Sequence, residues 1–86
     1  MKNQAYSILF RNYRKMVESY NNVVNRIIKV KFEMDRFWKY KRDYPADWTR
    51  MAENLSAYRL EAKELKNAII GTKMEMRECN KYQPEN

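Results

Sequence analysis

The side chains that most often perform catalysis are nearly absent from this sequence. Among its 86 residues there is no histidine, one cysteine (Cys79) and one glycine (Gly71). Without histidine the chain lacks the commonest general base and the commonest metal ligand, and its cysteine lacks the usual activating partner. A single glycine cannot build a phosphate-binding glycine loop. We therefore expect a protein that is not an enzyme and that uses no cofactor, metal or small-molecule substrate.

Paired carboxylates are the one remaining arrangement with catalytic or metal-binding potential. Glu61 and Glu64 are three residues apart, and Glu75 and Glu78 repeat this spacing. Helical bundles bind metals through such pairs, but they add histidines and partner carboxylates that face inward. Because basic residues surround both pairs here, the sequence favours a solvent-exposed face of ion pairs. The surrounding cations are Lys63, Lys66, Arg77 and Lys81.

Basic residues give the chain a net charge of +7, and they are unevenly distributed. Residues 1–43 contain eleven Lys and Arg against four Asp and Glu, whereas residues 44–86 contain seven of each. A field of this sign favours acidic surfaces, phosphates or anionic headgroups. We predict that a partner binds to seven cations on the outer side of a first helix. They are Arg11, Arg14, Lys15, Lys29, Arg36, Lys39 and Arg42.

Two kinds of partner fit these cations. An acidic protein surface would make the chain a helical interaction, adaptor or inhibitor protein. Short helical chains rich in lysine and asparagine are typical of accessory proteins from phages and mobile elements. Nucleic acid is the alternative, because Asn21, Asn22 and Asn25 lie among the cations and could hydrogen-bond to a phosphate backbone. A solvated helix face without any partner is the third interpretation.

The sequence also predicts a location. Cys79 is the single cysteine and cannot form an internal disulfide, which fits a reducing compartment. No stretch reaches the roughly 18 apolar residues of a membrane span, and the N-terminus has no apolar run long enough for a signal peptide. We expect a cytoplasmic protein.

Long helices must position the cations, because one apolar pattern runs through most of the chain. One series recurs every seven residues from Tyr6 to Met34, and a second follows three positions later from Leu9 to Tyr44. Two further series, starting at Trp48 and Met51, continue this pattern to Cys79. Alternating spacings of three and four are typical of a helix that presents one seam to another helix.

The apolar pattern and the position of the helix-ending residues predict a single all-α domain, a long antiparallel two-helix hairpin of the coiled-coil type. We expect a helix over about 4–43, a turn at 43–47, a helix over about 46–79 and a frayed tail at 80–86. Pro45 determines the turn, because the residue before proline is disfavoured in helices. Gly71 predicts a weak point in the second helix. Residues 27–32 also alternate like a strand, but no second strand or hairpin turn accompanies them.

The apolar pattern also predicts how the two helices pair. If Tyr44 faces Trp48, paired residue numbers add up to 92, so that Met34 faces Tyr58. Large residues then face small ones in several layers, as interdigitating helices require. The same pairing brings like charges together, since Lys31 faces Arg59 and Glu33 faces Glu61.

Four apolar side chains flank the seam with little opposite them on the second helix. Together with the like-charge pairs, they indicate that another surface covers the hairpin, most simply a second copy in a four-helix bundle. We therefore predict a homodimer, or a partner that uses the same anchors. The four residues are Phe10, Val17, Val24 and Trp38.

Overall fold

Two long helices form an antiparallel hairpin. The computed structural model describes residues 4–82. Helix α1 spans Gln4–Phe37, a short 3-10 turn follows at Trp38–Tyr40, and helix α2 spans Pro45–Tyr82. The two helices pack against each other in a rod of 67 × 14 × 13 Å. The predicted all-α hairpin is confirmed, and residues 27–32 are helical rather than extended.

The seam between α1 and α2 follows the predicted apolar series. In α1 every member from Tyr6 to Met34 is buried or half-buried, and in α2 every member from Trp48 to Cys79 is half-buried. Among the described residues only Val23 is fully buried, with 2% of its surface exposed. Because burial keeps the seven-residue period throughout, the same sides of the helices stay together from end to end. The core is therefore long but only one layer thick.

Helix α1 ends six residues before the predicted boundary at 43. Phe37 has φ −102° and ψ 8°, which departs from α-helical geometry. The Lys41 N–H then donates to the Trp38 carbonyl at 3.2 Å, and the Tyr44 N–H donates to the Tyr40 carbonyl at 2.9 Å. The sequence placed the boundary too late because Pro45 restricts only the residue before it. Residues 38–44 are needed to cross from one helix to the other.

Helix α2 begins at Pro45, one residue before the predicted start. The Tyr44 carbonyl accepts the first helical hydrogen bond, from the Trp48 N–H at 3.1 Å. Proline suits the first helical position because it has no N–H to leave unpaired. Asp47 lies in the first turn, where its charge complements the helix dipole, and its Oδ1 accepts a hydrogen bond from Arg50 at 3.3 Å.

The second helix is also longer than predicted. It continues through Gly71 without a break and reaches Tyr82, three residues beyond the expected end at 79. The predicted frayed tail is therefore helical over residues 80–82. The remaining tail residues, 83–86, and the polar residues 1–3 lie outside the described part of the chain.

The helices pair one heptad away from the predicted register. The guanidinium carbon of Arg26 lies 6.0 Å from the centre of the Tyr58 ring. In the predicted register Tyr58 faces Met34, and Arg26 is about 12 Å from that level along the axis. Tyr44, which that register buries against Trp48, is 59% exposed. The predicted register is therefore wrong.

The register that fits these observations pairs residues whose numbers add up to 85. Val23 then faces Ala62, and every half-buried residue of the α1 series meets a half-buried residue of the α2 series. The pairing is shifted by seven residues, which is the length of segment 38–44. Because this is one full heptad, the same apolar residues still lie in the seam. It also separates the like charges. Residues beside the seam pair two positions off this sum, so Lys31 lies nearest Ala52 instead of Arg59, and Glu33 lies nearest Asn54 instead of Glu61. The like-charge argument for a second copy is thereby removed.

Candidate partner-binding surface

All seven cations predicted to bind a partner are exposed. They do not form one patch, because their heptad positions place them in different rows around α1. Lys15, Lys29 and Arg36 share one row, Arg14 lies on the opposite edge, and Arg11 lies between these rows. The two remaining members, Lys39 and Arg42, follow the end of α1.

Aromatic rings accompany the cations near the hairpin turn. The guanidinium carbon of Arg36 lies 5.9 Å from the centre of the Phe32 ring and 5.7 Å from that of Phe37. The Lys41 Nζ lies 5.3 Å from the centre of the Trp48 ring. Such contacts attract a cation to the face of the ring. They hold the charges of Arg36 and Lys41 beside apolar surface at one end of the rod.

The turn itself contains an aromatic depression of about 600 Å³ lined by Phe37, Tyr40, Tyr44 and Trp48. Sequence reasoning missed this feature, because the predicted register placed Phe37 and Tyr44 inside the seam. The signal that could have revealed it is the length of the connection. A turn that takes up the heptad 38–44 leaves its seam residue Tyr44 uncovered.

The predicted apolar flank is only partly uncovered. Val17 and Val24 are half-buried, whereas Phe10 and Trp38 are 43% and 64% exposed. The Phe10 ring stacks between neighbours of its own helix, with the Tyr6 and Tyr13 ring centres each 6.4 Å away. The flank therefore offers two exposed anchors near its ends rather than four along its length.

The acidic pairs of α2 do not form the predicted face of ion pairs. From Leu55 to Cys79, no Lys or Arg is three or four positions from a Glu, which is the spacing that brings helical side chains together. Among the described residues the structure contains one salt bridge, between Arg50 and Asp47 at the start of α2. Within residues 55–79 the predicted ion pairs are therefore not formed, and the charges there are separated by sign. Lys81, three positions after Glu78, has a side chain outside the described part of the chain.

The hairpin combines this separation with the charges of α1. We label the series of Tyr6 and Trp48 as heptad position a and the series of Leu9 and Met51 as position d. In antiparallel pairing, the e positions, which follow each d residue, share one broad side of the rod, and the g positions, which precede each a residue, share the other. The e side, with its adjoining b positions, holds seven cations and one carboxylate, Asp35, within the two helices, and we call it the cationic face. Its cations are Arg14, Lys31, Arg59, Lys63, Lys66, Lys73 and Arg77, all exposed.

The opposite broad side is electrically mixed. Its g and c positions hold five cations and six carboxylates within the two helices, so its net charge is close to zero. The cations are Lys15, Arg26, Lys29, Arg36 and Arg50, and the carboxylates are Glu33, Asp47, Glu61, Glu64, Glu75 and Glu78.

Comparison with known proteins gives no relative for this hairpin: no protein family, no curated protein and no solved structure matches it. Within residues 4–82, neither helix is long and apolar enough to cross a membrane. In the same part of the chain, no three Cys, Asp or Glu side chains converge as metal ligands do. The fold class is thus defined by the structure, as an all-α helical hairpin.

Proposed function

We propose that this hairpin is a non-enzymatic interaction protein that docks its basic helix α1 on the acidic surface of a larger protein. The observation that supports the proposal best is the thin core, in which Val23 alone is fully buried among the described residues. Small domains with little buried apolar area have a low stability. Such a rod gains by binding a second surface, and the exposed cations of α1 select an acidic one.

An interaction of this kind explains how a chain without catalytic groups can have an effect. By occupying a surface on something larger, it acts as an adaptor or as an inhibitor, as accessory proteins of phages and mobile elements do. Exposed Phe10 and Trp38 supply apolar anchors beside the cations. Buried aromatic anchors contribute most of the affinity in many interfaces, while charged rims add association rate and specificity.

Charge reversal tests the proposal. We would compare the wild-type chain with two triple variants in pull-downs from the native host. One variant is Arg11→Glu, Arg14→Glu, Lys15→Glu, and the other is Arg36→Glu, Lys39→Glu, Arg42→Glu. Both should lose an acidic partner while keeping wild-type helicity, because exposed substitutions change stability little. Normal capture of the same partner by both variants would contradict the proposal.

A nucleic acid is the second candidate partner for the same side of α1. The observation that favours it is the exposure of Asn21, Asn22 and Asn25 between the basic residues. Asparagine side chains and cations together contact phosphate and sugar oxygens in nucleic-acid complexes. Affinity for random-sequence DNA that falls steeply with salt would support this candidate. If the chain shows no such affinity for DNA and the pull-down recovers an acidic protein, the acidic protein partner is supported instead.

Self-association into a four-helix bundle is a further proposal about the same molecule. It is supported by the thin core and by the exposed side chains of Phe10 and Trp38. The cationic face works against it, because a symmetric dimer through this flank brings two positively charged faces together. A homodimer should therefore depend on salt, which distinguishes it from docking on an acidic partner.

A further inference from the structure

The cationic face is the feature that the proposed function leaves unused. Five of its seven cations belong to α2, which contains seven Lys and Arg and six Asp and Glu in total. The net charge of α2 is therefore close to zero and does not reveal the cationic face. The face arises because the helix places five of its seven cations on one side and five of its six carboxylates on the other.

Stability does not account for this arrangement. Arg59 and Lys63 are four positions apart, as are Lys73 and Arg77, and like charges at this spacing destabilise a helix. The same residues in another order would give stabilising pairs of opposite charge. A surface that concentrates like charges against this cost is suited to a ligand that carries many negative charges.

We infer that the cationic face binds the phosphate backbone of a nucleic-acid duplex. The inference goes beyond the proposed function, because it assigns a different side of the rod and mainly different residues. From Arg59 to Arg77 the cations of α2 extend over about 27 Å of helix. This length corresponds to roughly eight base pairs of a duplex at about 3.4 Å per pair.

The composition of the face selects a duplex over a single strand. Single-strand sites stack bases on aromatic side chains along the backbone track. Here the residues between the cations are aliphatic or small, among them Val17, Val24, Ile28, Ser56 and Ile70, and the exposed aromatic side chains Phe10 and Trp38 lie only near the two ends of this flank. Hydroxyl, ammonium and guanidinium groups contact phosphates without reading bases. The binding should therefore be independent of sequence.

The test uses two charge-matched triple variants of the full chain. Arg59→Gln, Lys66→Gln, Lys73→Gln removes one row of the cationic face, and Lys15→Gln, Lys29→Gln, Arg36→Gln removes one row of the mixed side. Each variant loses one arginine and two lysines, and all six positions are exposed. Circular dichroism checks that both variants keep wild-type helicity. If a triple variant does not fold, the single variants Lys66→Gln and Lys29→Gln are compared in its place.

The readout is fluorescence anisotropy with a labelled random-sequence DNA duplex of about 20 base pairs, between about 50 and 200 mM salt. For the wild type, the logarithm of the affinity should fall linearly with the logarithm of the salt concentration. The Arg59/Lys66/Lys73 triple should lower this slope by roughly 3, about 1 for each cation removed. Its affinity at low salt should fall by at least about tenfold, while the Lys15/Lys29/Arg36 triple should change much less.

Three results would overturn the inference. The first is a wild-type chain without salt-dependent duplex binding, or equal losses in both triples, which would reflect net charge alone. The second is a loss confined to the Lys15/Lys29/Arg36 triple, which would favour the second candidate of the proposed function. The third is binding of polyglutamate with the same affinity as the duplex, which would indicate that the cationic face binds an acidic protein instead. The pull-down with the α1 variants tests the proposed function separately, because none of these three results decides whether an acidic protein binds α1.

Discussion

The guanidinium of Arg26 lies over the ring of Tyr58, 6.0 Å from its centre, and this contact determines how the two helices are aligned. It joins a residue near the middle of α1 to a seam residue in the first half of α2. Only a pairing shifted by one heptad from the predicted one brings these two side chains together. The shift has three consequences: it uncovers Tyr44 at the turn, separates the like charges, and sets Val23 opposite Ala62.

Val23 should contribute more to stability than any neighbouring residue. We predict that Val23→Ala lowers the free energy of unfolding by about 1.5–3 kcal/mol, because it removes two buried methyl groups at roughly 0.8 kcal/mol each and leaves a cavity. The matched control is Val24→Ala, which should cost less than half as much because Val24 is only half-buried. Both changes alter helix propensity equally, so urea denaturation compares burial alone. Equal costs at the two positions would mean that Val23 is not the centre of the core.

Gly71 should be a removable weak point. A Cβ added at Gly71 would meet no atom within 4 Å, and the helix continues through this residue. We predict that Gly71→Ala raises the free energy of unfolding by about 0.5–1 kcal/mol, which corresponds to several degrees in Tm for a domain of this size. Ala68→Gly, at an exposed position of the same helix, should cost a similar amount. Destabilisation by Gly71→Ala would indicate that α2 bends or ends there.

Self-association should increase with salt. We predict a larger dimer fraction at about 1 M salt than at about 0.1 M, because the Debye length falls from about 10 Å to about 3 Å. Screening weakens the repulsion between two cationic faces and leaves the contacts of Phe10 and Trp38 intact. Light scattering at micromolar concentration measures the change, and the double variant Val24→Asn, Trp38→Ala should remain monomeric. A wild-type chain that stays monomeric and well folded at all salt concentrations would exclude the dimer.

Most of the fold could be predicted from the sequence, because burial in a hairpin repeats the apolar period directly. The half-buried residues from Tyr6 to Met34 and from Trp48 to Cys79 are those of the predicted series. The register could not be predicted in the same way. A seam that repeats every seven residues matches itself after a shift of seven, so only the end of α1 decides between the registers. No glycine, proline or capping residue marks that end at Phe37.

The candidate surface was predictable only in part. Counting charges along the chain identified the basic residues of α1, but it concealed the charge separation in α2, where the two signs nearly cancel. That separation is visible only when residues are sorted by position around the helix, as with Lys66 and Lys73 on one side and Glu61 and Glu75 on the other. The pairing of α1 with α2 then determines which rows share a face.

The most direct test of the alignment is a thiol crosslink in a chain whose Cys79 has been replaced by serine. Cysteines at 23 and 62 (Val23→Cys, Ala62→Cys) should crosslink efficiently with a short bifunctional thiol reagent at concentrations where intermolecular products are absent. The control pairs the same Ala62→Cys with Val30→Cys. In the shifted register Val30 faces Leu55 and lies about 10 Å along the axis from the level of Ala62, so this pair should react poorly. The reverse result, with 30 and 62 joined and 23 and 62 not, would contradict the structure described here and restore the pairing in which Tyr44 faces Trp48.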